Sequence, residues 1–257
     1  MPLPLTGKVA IVTGSSSGIG QSIAIKLAQD GADIVIDYIG QVEGAQTTKS
    51  QVEAVGRRAI LVSSDVSNIA DTQSLVDQAW QQLGRADILV NNAGIEKKAA
   101  FWDVTEQDYD AVLGVNLKGA FFLTQAFVRR LRDAKSPGKV INISSVHEDM
   151  TFPGFSTYCA SKGGVRMLMR DLAVELGPLG ITINNVAPGA VATPINNALL
   201  HDKTELDALL NNIPLGRLAQ PEEVAALVAF LASEQAVYIT GSTFVIDGGL
   251  MRNYKEQ

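Results

Sequence analysis

Two kinds of segment alternate along the chain from end to end. In the runs Lys8–Thr13, Asp33–Asp37, Ala59–Ser63, Ile88–Asn91, Lys139–Ser144, Ile181–Val186 and Thr243–Ile246, apolar and β-branched residues dominate. Between them lie longer stretches whose apolar positions recur at helical spacing, as Val165, Leu168, Leu172 and Leu176 do. A strand without a polar face must be covered on both sides, and strands separated by helices pair in parallel. The pattern predicts an α/β fold: a doubly wound, seven-stranded parallel sheet with helices on both faces. No Pro-, Gly- or Ser-rich stretch divides residues 1–257, so they read as a single domain. The segment 194–214 has little strand character and an Asn-rich helical piece. It reads as an insertion before the last helix, either a substrate lid over the carboxyl edge of the sheet or an inert surface excursion.

Composition narrows the function classes. The formal net charge of −6 argues against nucleic acid or an anionic membrane as partner. The single cysteine, Cys159, cannot form an internal disulfide, and no Cys/His spacing suggests a metal site. The N-terminal residues lack the pattern of a secretory signal, and no apolar run is long enough to span a bilayer. The expectation is a soluble, cytoplasmic protein.

Two local patterns carry chemistry. Thr13-Gly14-Ser15-Ser16-Ser17-Gly18-Ile19-Gly20 follows the first strand and opens the helical stretch Gln21–Gln29. Glycines let such a turn take positive φ, and the helix N-terminus then offers free N–H groups to phosphate. The second pattern is Tyr158 with Lys162, four residues on and on the same helical face. Lowering a phenol by about 3 pKa units takes ~4 kcal/mol. One ammonium at ~4 Å, at an effective dielectric of ~20, supplies about that much.

The TGxxxGxG spacing, Asp65-Val66, Asn91-Asn92-Ala93-Gly94, Asn116, Ser145 thirteen positions before Tyr158, Lys162, and Pro188 to Thr193 occur in one order. Together they resemble the short-chain dehydrogenase/reductase family over Gly7 to Gly249, which implies a Rossmann fold and hydride transfer between a nicotinamide and a carbinol or carbonyl carbon. The resemblance implies catalytic roles for four residues. Tyr158 transfers the proton, Ser145 hydrogen-bonds the reacting oxygen, Lys162 also holds the nicotinamide ribose, and Asn116 ties a water relay to the lysine. It also implies a cofactor groove. Gly14, Ser16, Ser17, Gly18, Ile19 and Gly20 take the pyrophosphate end, and Asp65 and Val66 the adenine. Asn91, Ala93 and Gly94 line the groove, and Pro188, Gly189, Val191 and Thr193 hold the carboxamide. Asp37 and Tyr38 stand at the adenosine ribose. Asp37 is the only charge there, Ile39 and Ser17 occupy positions that are often basic in NADP users, and NAD is expected over NADP. The family's usual NAD aspartate, however, falls where this chain has Tyr38.

Ile95-Glu96, Ser145-Val146-His147-Glu148 and Thr193-Pro194-Ile195-Asn196 resemble the bacterial glucose 1-dehydrogenase branch. That implies Glu96, His147 and Asn196 near a sugar, beside Ser145 and Tyr158, and oxidation of an aldose such as glucose to its lactone. A carbonyl reductase, including a 3-oxoacyl-carrier-protein reductase, is the alternative, and a non-catalytic dinucleotide-binding protein is a third reading. The resemblance further implies a homotetramer packed through Glu106–Arg132, Thr157–Leu176 and the last strand with Gly248-Gly249.

Overall fold

The computed structural model describes residues 3–193 and 202–253. Seven strands form one sheet: β1 (Val9–Val12), β2 (Asp33–Tyr38), β3 (Ala59–Ser63), β4 (Ile88–Asn91), β5 (Gly138–Ile143), β6 (Ile181–Pro188) and β7 (Thr243–Ile246). Their order is β3-β2-β1-β4-β5-β6-β7, and each neighbouring pair is parallel. The chain runs outward from β1 to β3 and then returns to place β4 on the other side of β1. That reversal opens a crevice at the carboxyl ends of β1 and β4.

Successive residues of each strand point to opposite faces and feed two cores. Ala10 and Val12 of β1, with Ile34 and Ile36 of β2, pack with Ile23 and Leu27 of α1 (Gly18–Gln29) and Val224 and Val228 of α8 (Pro221–Ala232). Val9 and Ile11, with Val35, pack with Leu75 of α3 (Ile69–Leu83), Phe127 of α5 (Ala120–Ala134) and Met169 of α6 (Ser156–Leu176). Helix α2 (Glu43–Ala54) shares the first core, and α4 (Glu106–Leu113) leads into α5. The sheet is therefore covered on both sides, as the apolar strands require.

Several strand ends shift by one residue from the sequence pattern, and two elements differ by more. β6 continues past Val186 through Ala187 and Pro188, which pair with Val245 and Ile246. Pro188 costs the ladder nothing at that end, because the Gly189 N–H makes the next bond, to the Ile246 carbonyl at 2.9 Å. The expected helix Glu106–Arg132 is interrupted by a π-helical turn, Gly114–Gly119, between α4 and α5. The whole stretch Glu106–Ala134 is apolar and long enough to cross a membrane by composition, but Leu123, Phe127 and Leu131 are buried in the core of the domain.

Helix α7 (Lys203–Leu210) begins at Asp202, whose side chain accepts from the N–H groups of Thr204 and Glu205 at 3.0 and 3.1 Å. Residues 194–201, the first part of the expected lid and with them Asn196, lie outside the described residues.

Candidate functional site

A cleft of about 1020 Å³ lies along the carboxyl ends of the strands. At one end is the glycine turn. Gly14 and Gly18 have φ of 59° and 55°, and a Cβ on Gly20 would fall 2.4 Å from the Gly14 carbonyl oxygen. Larger residues would break this cradle. Ser17 is extended ahead of α1 and makes no side-chain cap, so its first N–H groups face the cleft beside Gly18, Ile19 and Gly20. Asn92 closes the turn from β4: its amide donates to the carbonyls of Thr13 and Gly14 at 2.8 and 3.2 Å. The Thr13 hydroxyl accepts in return from the N–H groups of Asn92 and Ala93, both at 2.9 Å. Neither Thr13 nor Asn92 was singled out as a site residue by sequence reasoning, although both stand inside the motifs that were.

Beside the glycine turn, Asp65 and Val66 line the cleft together with Ser16 and Ser17. Asp37 also borders it but is turned inward and is only 2% exposed. Its Oδ2 accepts from the Gly14 N–H at 3.0 Å and its Oδ1 from the Ser64 hydroxyl. Burial raises its carboxyl to about 6 despite those bonds, with Asp65 and Asp71 adding repulsion. Asp37 is thus an internal clamp joining the ends of β1, β2 and β3. Tyr38 packs against the first core and does not line the cleft, whereas Ile39 does, at 68% exposure.

The reactive constellation lies at the middle of the cleft. Ser145 follows β5, and its hydroxyl accepts from the His147 N–H at 3.2 Å, which orients it. Tyr158 on α6 borders the same cleft, and the Ser145 hydroxyl acts on its phenol to lower the pKa. Lys162, one turn on, donates to the Ile143 carbonyl at 2.9 Å and lies 5.5 Å from the Tyr158 ring centre. Burial pushes the phenol up to about 12, opposed by Ser145 and reinforced by the Glu96 charge. Burial also lowers Lys162 to about 8, opposed by Glu148 and Glu96. Desolvation is thus the largest influence on the phenol, and Lys162 is not among the groups that lower it.

Asn116 sits in the π turn, where its amide donates to the Ile95 carbonyl and Ser161 hydroxyl at 2.9 and 3.0 Å and its Oδ1 accepts from the Ile95 N–H at 2.9 Å. These bonds explain why the helix unwinds there. A Cβ on Gly94 would lie 3.5 Å from Asn116 Oδ1 and 3.6 Å from Lys162 Nζ, so the two side chains surround one point.

Asn91 does not face the groove. Its amide is buried in the sheet and donates to Thr124 and Asn142 at 3.0 and 2.9 Å. Ala93, Gly94, Pro188, Gly189, Val191 and Thr193 do line the cleft.

Glu96 and His147 border the reactive end. Desolvation raises the Glu96 carboxyl, opposed by Lys162. His147 stacks on Phe152 with ring centres 4.7 Å apart, and its Nδ1 lies 3.1 Å from the Met150 carbonyl. Burial lowers its pKa, which favours the neutral ring; facing the Met150 carbonyl, Nδ1 satisfies it as an N–H donor, and that tautomer leaves Nε2 as an acceptor. Leu209, Asn212, Leu250 and Asn253 close the same end from the C-terminal part of the chain. A glycine cradle, a free helix N-terminus and a long cleft leading to Tyr158 and Lys162 together fit a nicotinamide dinucleotide.

A family model described as enoyl-(acyl carrier protein) reductase matches residues 14–251. The sequence is 42% identical over 246 residues to 3beta-hydroxysteroid dehydrogenase 1 of Eggerthella lenta, covering 96% of this chain and 94% of that protein. It is 38% identical over 252 residues to L-rhamnose 1-dehydrogenase (NAD(P)(+)) of Azotobacter vinelandii, covering 97% and 98%. The crystal structure of a short-chain type dehydrogenase/reductase from Mycobacterium marinum matches with a TM-score of 0.92 and 33% identity over 98% of each chain.

Proposed function

Because the chain belongs to the short-chain dehydrogenase/reductase family, we propose that it is a nicotinamide-dependent dehydrogenase oxidising an aldose at C1 to its lactone. The observation that carries this reading is the convergence of Ser145, Tyr158 and Lys162 on one cleft with the glycine turn and the polar rim of Glu96 and His147.

In this reading the turn Gly14–Gly20 and the N–H groups of α1 hold the pyrophosphate. Asp65 and Val66 border the adenine, and Pro188 to Thr193 border the carboxamide. When bound, a nicotinamide would supply the hydride acceptor and positive charge. Lys162 binds the ribose and adds its own positive charge. Tyr158 takes the C1 hydroxyl proton while Ser145 holds the same oxygen. Asn116 keeps Ser161 and the loop at Ile95 in register beside Lys162. A site that hydrogen-bonds several hydroxyls rejects analogues lacking them. Glu96 and the acceptor Nε2 of His147 are the groups for that work.

We assign NAD as the preferred cofactor, with NADP accepted. Neither Ile39 nor Ser17 offers a cation to a 2′-phosphate, yet the inward carboxylate of Asp37 offers only weak repulsion. Exposed apolar side chains on α5, α6 and β7 (Phe121, Met167, Val174 and Val245) support a homotetramer, and the enzyme is assigned to the cytoplasm.

A second reading has support of its own. Phe152, Met150, Leu209 and Leu250 give the same end of the cleft an apolar wall that suits a carbonyl reductase or hydroxysteroid dehydrogenase. Formation of reduced nicotinamide with glucose, L-rhamnose, galactose, hydroxysteroids and apolar alcohols separates the two. Turnover of aldoses is expected. Apolar alcohols oxidised readily with every aldose inert would replace the aldose reading with the second.

A further inference from the structure

Four strands carry polar side chains in register within the sheet: Asn91 of β4 pairs with Asn142 of β5, Asn142 with Asn185 of β6, and Asn185 with Thr243 of β7. Their side chains form a chain of hydrogen bonds. Asn91 donates to Asn142 at 2.9 Å, Asn142 to Asn185 at 2.9 Å, and Asn185 to Glu148 at 3.1 Å. Glu148 is the terminus. Its side chain is 1% exposed, and it also accepts from the Ser144 hydroxyl and, at 2.7 Å, from the Thr243 hydroxyl. Arg166 Nε lies 3.6 Å from the same carboxylate and Arg166 also pairs with Asp149.

The direction of this chain follows from its terminus. An ionised carboxylate can only accept, so Asn185 must present its NH₂ to it and its carbonyl to Asn142, and the same holds one strand further on. One buried anion therefore orients three amides, as far as the strand that begins the Asn91-Asn92-Ala93-Gly94 turn. It also holds Ser144, the neighbour of Ser145, and belongs to the same short turn as His147.

We propose that Glu148 is a positioning residue for the reaction: its carboxylate ties the turn bearing Ser145, and with it the Ile143 carbonyl that receives the Lys162 ammonium, to β6 and β7. This rests on the dehydrogenase reading of Ser145, Tyr158 and Lys162. The link to Lys162 is geometric: its ammonium donates to the Ile143 carbonyl at 2.9 Å, and the next residue, Ser144, is held by Glu148. The Glu148 charge also opposes the loss of the Lys162 proton, and the Tyr158 ring lies 5.5 Å from that ammonium. Nothing in the sequence marks Glu148 as more than a loop carboxylate, since its partners are spread from Ser144 to Thr243.

The test is Glu148→Gln in the full chain. The amide loses the charge and turns an NH₂ towards groups that are themselves donors. Titration of the Lys162 ammonium by ¹⁵N NMR, assigned with Lys162→Arg, should move down by about one unit. kcat should fall about tenfold or more while KM for the cofactor stays within about twofold. Glu148→Asp should restore the Lys162 titration but not kcat, because the shorter arm keeps the charge and not the reach. A folded Glu148→Gln protein with unchanged titration and kcat overturns the proposal. Where that variant does not fold, Thr243→Val takes its place. It removes one hydroxyl from the carboxylate outside the cleft and should cost about fivefold in kcat; full activity there also overturns the proposal. Absence of turnover on every aldose tells against the aldose reading alone, since the lysine titration needs no substrate.

Discussion

Asn92 donates its side-chain amide to the carbonyl oxygen of Thr13 at 2.8 Å, binding the end of β4 to the start of the glycine turn. With the return bonds to the Thr13 hydroxyl, the bond makes two motifs, separated by some eighty residues, into one rigid cradle. Asn92→Ala should therefore loosen the turn without removing any group that touches phosphate. The expected result is a cofactor Kd about tenfold weaker, about one hydrogen bond's worth, with little change in kcat at saturation. Calorimetric titration with NAD measures it, and a wild-type Kd would free the turn from Asn92.

Tyr158→Phe removes one hydroxyl and leaves the ring packing. Turnover should drop below about a tenth of wild type, which corresponds to ~1.4 kcal/mol or more in the barrier, while NAD affinity changes little. Lys162→Met should damage both rate and affinity. A phenylalanine variant that keeps most of the rate would give the base role to another group.

Asp37 makes a prediction in pH. Its folded pKa, about 6, lies above the ordinary aspartate value of 3.8, so between the two the native state holds a proton that the unfolded chain releases. Its contribution to stability is complete below about pH 4 and is lost as pH rises through 6. The upper figure is about 3 kcal/mol. Urea unfolding at several pH values should show that decline in wild type relative to Asp37→Asn, whose difference isolates this group. Parallel curves for the two proteins would contradict a raised Asp37.

Ile39→Arg places a cation at the mouth of the adenosine end, where Ile39 is 68% exposed. kcat/KM should shift towards NADP by about tenfold or more, since an arginine pairs with phosphate in bidentate fashion. Steady-state kinetics with both cofactors decide it. No shift would move the 2′ site away from Ile39.

His147→Phe keeps the stacking on Phe152 and deletes the acceptor Nε2. KM for the aldose should rise about five- to fiftyfold, as expected for one lost hydrogen bond at a polar site, with NAD affinity intact. Glu96→Gln should act in the same direction. An unchanged sugar KM in both variants would remove them from the sugar site.

The sequence by itself determined the alternation of strand and helix, the glycine turn, the face shared by Tyr158 and Lys162, and the family. All of these are local: each depends on a period or a short spacing that the chain carries wherever it folds. Tertiary structure alone decided what surrounds those residues. Asp37 looks like a ribose reader along the chain, yet its oxygens are taken by Gly14 and Ser64, 23 and 27 residues away. Asn91 looks like groove lining, yet its amide joins Asn142, 51 residues on, and through it Asn185, a further 43. The π turn at Asn116 answers to Ile95 and Ser161, partners that helical periodicity does not describe. Burial sets the state of Tyr158 more strongly than its neighbour four residues on. Desolvation and long-range hydrogen bonds depend on which segments meet, and segments meet only when the sheet has been assembled.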